Sequence, residues 1–242
     1  MLTVDYDILG IQQGELILDV GCGDGRHSIR ACQQPGCVVY ALDFNRENVR
    51  QTSCRLQLML DSGESSGNYA VIRGDALKLP FGDGQFDKVI CTEVLEHVTD
   101  DCQAIDELNR ILKEDGTIAV SVPTFLSESI YWRLSSRYHS TPGGHVRKYR
   151  KKQLIRLLDR QDLRVYTTRR KHGLHFVYWL LRCLFGINRD TALLPSLYYR
   201  FLVWDLMRKT RLVRLIERVL NPLLAKSLIV YARKSKLESA NA

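Results

Sequence analysis

The sequence of 242 residues contains no apolar run long enough to cross a lipid bilayer. Its longest apolar stretch, residues 174–187, is interrupted by Arg182 and falls short of the ~20 apolar residues that a membrane-spanning helix requires. The N-terminal residues MLTVDYDILG have neither a basic start nor an apolar core, so no secretory signal is predicted. These absences favour a cytoplasmic protein without a transmembrane anchor.

Paired cysteines are also missing. The seven cysteines contain no CxxC pair and no framework spacing, and an odd number cannot form a complete disulfide set. A disulfide-stapled scaffold is therefore excluded. We expect the cysteines to be reduced thiols, as is usual in the cytoplasm.

Positive charge is scarce in the first part of the chain and abundant in the second. Up to residue 136 there are 11 Lys and Arg against 21 Asp and Glu, whereas from residue 137 onward there are 24 against 6. This asymmetry indicates that the second part faces an anionic partner, either phospholipid head groups or nucleic acid. A basic solvated surface without a partner is the alternative.

Short apolar runs alternate with helical stretches in the first half, which is typical of a parallel sheet with crossover helices. Strands are predicted at residues 15–20, 38–42, 69–73, 86–91 and 117–122, and helices at residues 26–33, 46–60 and 100–112. Beyond residue 123 the pattern predicts helices at 127–138 and 151–159, a strand at 164–168, two or three helices within 173–220, and a last strand at 227–232.

A glycine-rich turn follows the first predicted strand, in the segment LILDVGCGDGRHS. Gly21, Gly23 and Gly25 allow a sharp bend and a close approach of the backbone to a ligand. Asp43, 20 residues beyond Gly23 at the end of the next strand, is placed to accept both hydroxyls of a ribose. The dinucleotide fingerprint GxGxxG has a third glycine where this chain has Arg26, so the turn does not follow that fingerprint.

The segments LDVGCGDG, ALDFN, GDALKLPF and FDKVICTEVLEHV, taken together, resemble the successive motifs of class I S-adenosylmethionine-dependent methyltransferases. The likeness is greatest to the small-molecule group that includes ubiquinone-type methyltransferases, and it covers roughly residues 10–122. The terminal SLIVYARK resembles the antiparallel last strand of that family. The resemblance implies an α/β fold with a doubly wound, seven-stranded, mostly parallel sheet and a helical cap insertion. Residues 1–123 would form the cofactor-binding core, and residues 124–242 the rest of the core with the cap at about 173–220.

The resemblance also implies roles for individual residues. Asp19 and the glycine-turn backbone would hold the methionine end of the cofactor, Asp43 the ribose, and Asp75 the adenine amino group. A helix-capping aspartate is the alternative for Asp75. Thr92 would lie beneath the sulfonium. The cofactor-binding candidates are Asp19, Gly21, Cys22, Gly23, Asp43, Phe44, Asp75, Ala76 and Thr92.

His97 and His145 are the candidate catalytic residues, His97 as a general base. Glu93, Glu96 and His97 have i, i+3, i+4 spacing, so a helix would place them on one face. A similar ExxEH arrangement binds metal in small-RNA 3′-end methyltransferases and in some ubiquinone O-methyltransferases, with His145 as the fourth ligand by the same analogy. Many relatives carry EVLEH without a known metal, so capping and packing roles are the alternative for this set.

Residues 124–150 and 173–220 are expected to supply the lid and the acceptor pocket. Basic residues interleaved with Trp, Tyr and Leu on amphipathic helices are typical of a segment lying in a membrane interface. An anionic membrane surface is therefore the favoured partner over nucleic acid, and a plain lid is the alternative. The aromatic residues of these segments are Tyr131, Trp132, Tyr138, Phe176, Tyr178 and Trp179.

The leading hypothesis is methyl transfer from S-adenosylmethionine to oxygen or carbon of a small, lipophilic acceptor, such as a quinone precursor or a lipid. The Asn/Asp-Pro-Pro-Tyr motif of enzymes that methylate base amino groups is absent after the fourth strand, where residues 92–95 read TEVL. A methyltransferase acting on an RNA ribose or terminal hydroxyl is the second hypothesis. A non-catalytic, cofactor-binding regulatory protein is the third.

Overall fold

The computed structural model describes residues 2–65, 67–135, 144–185, 192–208 and 210–235. Seven strands form one sheet in the order β3-β2-β1-β4-β5-β7-β6. Strands β1 to β5 are parallel, whereas β7 runs antiparallel to both β5 and β6. The predicted fold class is confirmed. The strands are β1 (Leu16–Val20), β2 (Val38–Asp43), β3 (Asn68–Arg73), β4 (Phe86–Thr92), β5 (Leu112–Pro123), β6 (Leu163–Lys171) and β7 (Ser227–Lys234).

Helices cover both faces of the sheet because neighbouring strand residues point to opposite sides. Ile17 and Ile90 pack with the helices that follow β1 and β2, whereas Leu18 and Val89 pack with the helices near β5 and β7. The central strands are buried on both sides, which explains their continuous apolar runs. The helices are α1 (Tyr6–Leu9), α2 (Arg26–Cys32), α3 (Arg46–Asp61), α4 (Asp101–Ile111), α5 (Phe125–Leu134), α6 (Lys151–Asp159), α7 (Gly173–Phe185), α8 (Leu193–Arg208) and α9 (Arg211–Leu224).

The strand order determines where a ligand can bind. It reverses between β1 and β4, and ligands of such sheets bind outside the carboxyl ends of the strands at that reversal. Since β6 is antiparallel to β7, and β7 to β5, the end of β6 and the start of β7 lie at this same edge. The three helices between them, α7 to α9, therefore lie over the ligand-binding edge.

These three helices form the cap. The helices run to Leu224, four residues beyond the predicted boundary, with Pro222 inside the last turn. Buried Tyr131 of α5 anchors the cap by donating its hydroxyl to the carbonyl oxygen of Phe176, at 2.9 Å. Within the described ranges, no helix combines the length and the apolar character needed to span a membrane.

The helix predicted at residues 127–138 begins at Phe125 and ends at Leu134. The helix begins two residues before the predicted start because Thr124 caps it: the side-chain oxygen of Thr124 accepts the backbone N–H of Ser127. Tyr138 lies outside the described residues, as do the rest of 136–143.

Candidate active site

The glycine turn leaves β1 in a left-handed backbone conformation. Gly21, Gly23 and Gly25 have φ values of 69°, 57° and 81°. A Cβ added at Gly21 would lie 2.2 Å from Cγ2 of Val94, so no other residue fits there without moving the loop after β4. A Cβ at Gly23 would meet no atom within 4 Å, because Gly23 borders an open cleft.

Asp43 ends β2 directly beside this turn. Its carboxylate accepts the backbone N–H of Gly23 at 2.9 Å, the backbone N–H of Asn45 at 2.8 Å and the side-chain amide of Asn48 at 3.1 Å. These three donors fix the orientation of the carboxylate. Asp43 thus joins the end of β2 to the turn after β1, as the spacing predicts.

A cleft of about 660 Å³ opens at this edge. It is within the range of roughly 300–1,000 Å³ found for small-molecule sites. Arg26, Asn48 and Val94 also line it, although the sequence assigns them no role. The predicted residues that line it are Gly21, Gly23, Asp43, Phe44, Asp75, Ala76, Thr92, Glu93 and His97.

Two predicted cofactor residues are not among those that line the cleft. Asp19 is fully buried and accepts the hydroxyl of Ser28 at 2.6 Å, and burial raises the pKa of Asp19 to about 6. Cys22 is buried against Thr52, with Sγ 3.7 Å from Oγ1. Both side chains support the glycine turn from below.

Asp75 stands on the far wall of the cleft. Its Oδ1 accepts the backbone N–H of Leu77 at 2.9 Å, and Asp75 forms an isolated bridge with Lys78. This bond closes a local turn, and no helix begins at Asp75, so Asp75 does not cap a helix. Asp75 and Ala76 both line the cleft.

The helix expected to carry Glu93, Glu96 and His97 on one face is not formed, and that prediction is wrong. The backbone N–H of Glu93 donates to Ser121 at 2.9 Å, which continues the sheet. Glu93 then adopts φ of 56°, and the chain forms turns until the next helix begins at Asp101. A left-handed residue at this place directs the chain away from a helical path.

Glu93 forms an ion pair rather than joining the other two residues. Its Oε2 lies 2.8 Å from Nζ of Lys226, and its Oε1 accepts the hydroxyl of Ser121 at 3.2 Å. Burial alone would raise the pKa of Glu93, but the Lys226 ammonium holds it below the ordinary value. The pair spans 133 positions, and no sequence pattern points to it.

The turn after β4 nevertheless brings Glu96, His97 and His145 together. The atoms of these side chains that could bind a metal lie within 4.8 Å of one another. The backbone N–H of Val146 donates to the backbone carbonyl oxygen of Glu96 at 2.8 Å. Both carboxylate oxygens of Glu96 are buried without a hydrogen-bond partner among the described residues. Burial and the nearby Glu93 carboxylate raise the pKa of Glu96 well above its ordinary value.

Glu128 extends this cluster from α5. Its Oε2 lies 2.7 Å from Nδ1 of His145, and the ring centroids of His145 and His97 are 4.8 Å apart. His97 lines the cleft, whereas His145 is not among the residues that line it. Sequence reasoning missed Glu128 because it carries no motif and is 17 residues from His145.

Two further cavities of the described residues border the cap. The cap pocket has a volume of about 810 Å³ and lies among α7, α8 and α9. The linking chamber has a volume of about 150 Å³, and its walls are Thr3, Arg26, Glu93, His172, His175, Trp179, Lys226 and Ser227.

Comparison with known proteins identifies the first half of the chain. Residues 18–120 match the family model described as a methyltransferase domain. Demethylmenaquinone methyltransferase of Staphylococcus aureus is 34% identical over 112 residues, which is 46% of this chain and 44% of that protein. Sterol 24-C-methyltransferase of Saccharomyces cerevisiae is 32% identical over 111 residues, which is 46% of this chain and 28% of that protein.

The fold likeness extends further than the sequence likeness. A geranyl diphosphate methyltransferase, solved in complex with S-adenosylmethionine, superimposes with a TM-score of 0.63 at 14% identity, covering 95% of this chain and 82% of that one. The matched region spans less than half the length of the demethylmenaquinone methyltransferase and of the sterol methyltransferase. Residues 18–120 match a methyltransferase domain, which confirms the predicted resemblance for that part of the chain.

Proposed function

We propose that this methyltransferase domain and its cap transfer a methyl group from S-adenosylmethionine to oxygen or carbon of a small, lipophilic acceptor. The observation that carries the proposal is the placement of two cavities at one edge of the sheet. The cleft at the glycine turn and the cap pocket each have the volume of a small-molecule site.

The cleft residues fit the cofactor in their chemistry. The backbone of Gly21 and Gly23 and the first turn of α2 suit the carboxylate of the methionine end. Asp43 offers a fixed carboxylate for the ribose hydroxyls, and Asp75 and Ala76 stand where the adenine would bind. When bound, the cofactor supplies an electrophilic methyl carbon on a positively charged sulfur.

The cap pocket suits an apolar acceptor. Most of its walls are aliphatic or aromatic, contributed chiefly by α7 and α8. The relatives named for demethylmenaquinone and for sterols act on lipophilic molecules, which supports the same class of acceptor here. The apolar lining residues are Leu2, Leu174, Tyr178, Trp179, Tyr199, Leu202, Val203 and Leu206.

The acceptor would come from an anionic membrane surface, because α9 exposes an apolar stripe. Five apolar residues at helical spacing are between 43% and 71% exposed and cover one face, beside a row of arginines. An apolar face beside basic side chains is typical of helices that lie in a lipid interface. The stripe is Leu212, Leu215, Ile216, Val219 and Leu223, and the arginines are Arg211, Arg214 and Arg218.

The outward face of α8 has the same character. Leu193, Leu197, Trp204 and Met207 are exposed there and recur at helical spacing. Together with the net positive charge of the second half, these faces support lipid over RNA, since RNA-binding surfaces are more polar.

Introducing charge into the stripe is expected to weaken membrane binding. We predict that Ile216→Glu with Val219→Glu lowers the affinity for phosphatidylglycerol-containing vesicles by about tenfold or more, because two apolar side chains leave the interface. Sedimentation with vesicles of phosphatidylcholine, with and without phosphatidylglycerol, measures the effect. Binding of the wild type should also weaken as salt is raised.

Leu58→Glu is the matched control, since Leu58 is an exposed leucine on α3 in the core domain. It should bind vesicles like the wild type. Equal vesicle affinity of the α9 variant and the control would contradict the membrane proposal. Tighter binding to transfer RNA than to either vesicle would favour the RNA hypothesis instead.

We further propose that Glu96, His97 and His145 hold a divalent cation, and that Glu128 orients the imidazole of His145. A buried carboxylate and two imidazoles are suitable ligands for such a cation. The carboxylate of Glu128 accepts from Nδ1 of His145, and carboxylates commonly orient metal-binding histidines in this way. Glu93 is left out of the predicted set because Lys226 pairs with it.

Thermal denaturation with added Zn²⁺ or Mn²⁺ tests this cluster. The wild type should gain about 5–10 °C at a hundredfold excess over Kd, because only the folded state presents the three ligands together. Glu96→Gln should lose most of this gain, whereas Asp100→Asn, in an exposed acidic cluster, should keep it. An equal gain in wild type and Glu96→Gln would rule the cation out at this place.

The methyl transfer itself is tested by incubating the protein with cofactor that carries a labelled methyl group. Fractionated lipid, RNA and small-molecule extracts serve as acceptors. Label in the lipid fraction supports the proposal, and label in RNA favours the second hypothesis. Tight cofactor binding with no label in any fraction would contradict methyl transfer and favour the hypothesis of a non-catalytic regulatory protein.

A further inference from the structure

The connection between β4 and α4, residues 93–100, forms one wall of the cleft, and we call it the binding loop. At its start, Val94 packs against Gly21 of the glycine turn. At its end, the side-chain amide of Gln103 on α4 donates to the carbonyl oxygen of Leu77 at 3.4 Å, and Leu77 lines the cleft next to Asp75. The loop therefore spans the cleft from the glycine turn to the opposite wall. Its cleft-lining residues are Glu93, Val94, His97, Val98 and Thr99.

The binding loop has little internal support. It consists of turns and bends, and among the described residues a single backbone hydrogen bond lies within it, from the N–H of His97 to the carbonyl oxygen of Val94 at 2.9 Å. The side chains of His97, Thr99 and Asp100 are exposed. Segments with few hydrogen bonds and little burial open locally at low cost in free energy. Contacts from elsewhere in the chain must therefore hold this wall in place.

Residues 145–149, which read HVRKY, lie against the binding loop, and we call them the clamp segment. The backbone N–H of Val146 donates to the carbonyl oxygen of Glu96 at 2.8 Å. Tyr149 is buried in the core and forms an isolated bridge with Thr124, directly after β5. Because the clamp segment is fixed to the sheet in this way, it can restrain the loop.

Arg147 of the clamp segment makes the contacts at the far end of the binding loop. Its Nη2 donates to the carbonyl oxygen of Thr99, and its Nη1 pairs with Oδ1 of Asp101 at the start of α4. The hydroxyl of Tyr149 donates to the other oxygen of this carboxylate at 2.7 Å. The side chains of Arg147 and Asp101 are only 26% and 19% exposed, so this pair is shielded from solvent better than an ordinary surface pair.

We propose that Arg147 is a positioning residue for the cofactor, which keeps the binding loop closed and the cleft formed before the ligand binds. This inference rests on the cofactor binding proposed above. Only the closed loop completes the wall, so the measured Kd equals the Kd of the closed form divided by the fraction of closed molecules. Arg147 acts on this fraction from outside the cleft, since it is not among the residues that line it.

Isothermal titration calorimetry with S-adenosylhomocysteine tests the effect on affinity. Arg147→Met should weaken binding by about 5- to 10-fold, because the loop loses hydrogen bonds from a charged guanidinium. Arg147→Lys keeps a cation beside Asp101 and should lose only about 2- to 3-fold, which also makes the comparison if the methionine variant does not fold.

Lys148→Met is the matched control, because its ammonium lies 4.6 Å from the ring centre of Trp132 rather than on the loop. It should bind S-adenosylhomocysteine like the wild type. Equal affinities of the Arg147 variants and this control would overturn the proposal.

Hydrogen exchange of the unliganded protein separates opening of the loop from a general loss of stability. A 5- to 10-fold loss of affinity requires that only about 10–20% of the molecules have a closed loop. In Arg147→Met the amides of His97 and Val146 should then exchange almost as fast as in an unstructured chain, whereas the amides of β1 and β2 stay protected. Saturating S-adenosylhomocysteine should restore the protection.

Weaker binding with full protection of the His97 and Val146 amides would overturn the proposal, because the loop would then be closed without Arg147. A wild type that does not bind S-adenosylhomocysteine contradicts the proposed cofactor site itself. The exchange experiment then decides the action of Arg147 on the loop separately. Faster exchange of the two amides in Arg147→Met supports it, and unchanged exchange rules it out.

Discussion

Asp43→Ala is expected to weaken S-adenosylmethionine binding by about 10- to 100-fold. The ribose hydroxyls lose a charged acceptor, which contributes about 1.5–3 kcal/mol. The glycine turn also loses its anchor, because the same carboxylate holds the backbone N–H of Gly23 and the amide of Asn48. Isothermal titration calorimetry measures both affinity and enthalpy. Asp43→Asn keeps an oxygen in place, so its cofactor affinity should lie between those of the wild type and Asp43→Ala.

Asp24→Ala is the matched control for this experiment. Asp24 lies on the same turn but is half exposed, and it pairs with Arg55 rather than lining the cleft. Its removal should change cofactor affinity little, since exposed ion pairs contribute about 0–1 kcal/mol. Unchanged affinity in Asp43→Ala, with the variant folded by circular dichroism, would mean that the cofactor does not bind in this cleft.

Lys226→Met is expected to lower the free energy of unfolding by about 3 kcal/mol at pH 7. The substitution leaves the carboxylate of Glu93 largely buried beside Glu96 without its counter-ion, and loss of one partner of a buried pair is strongly destabilising. Urea denaturation measures the loss. Arg55→Met, at an exposed pair, should cost less than about 1 kcal/mol.

The pH dependence and the double variant separate charge from packing. Glu93 has a lowered pKa in the folded protein, so its contribution to stability is present above the ordinary glutamate pKa and is lost as the pH falls through the folded-state value. The deficit of Lys226→Met should therefore shrink in acid. Adding Glu93→Gln should restore part of the stability at pH 7, because no buried charge remains. A deficit that is independent of pH and of Glu93 would indicate packing alone.

Most strands could be predicted from the sequence because each buried parallel strand is a short apolar run between glycine, proline or polar residues. The prediction at residues 38–42 differs from Val38–Asp43 by one residue. The apolar pattern predicts the fifth strand at 117–122, but the strand begins at Leu112. Its extra residues pair irregularly with β4 and include Asp115 at φ of 62°, which no apolar pattern reveals.

Local spacing was misleading directly after β4. Glu93, Glu96 and His97 have helical spacing, yet the chain turns at Glu93 because its backbone continues the hydrogen bonds of the sheet and its side chain pairs with Lys226. Tertiary contacts thus overrode a weak local preference. His145 was predicted beside His97 only through resemblance, and the structure places it there through the backbone bond from Val146 to Glu96.

Short segments of the sequence are enough to predict the sheet, the glycine turn and the place of Asp43, because each depends on local backbone conformation and on the burial of consecutive strand residues. The contacts between residues from distant parts of the chain at the ligand-binding edge follow from the tertiary structure alone. Lys226 meets Glu93, and His172 and Thr3 meet across 169 positions, because distant strand ends share one edge of the sheet. Such contacts depend on strand order and helix packing, which no local spacing of residues encodes.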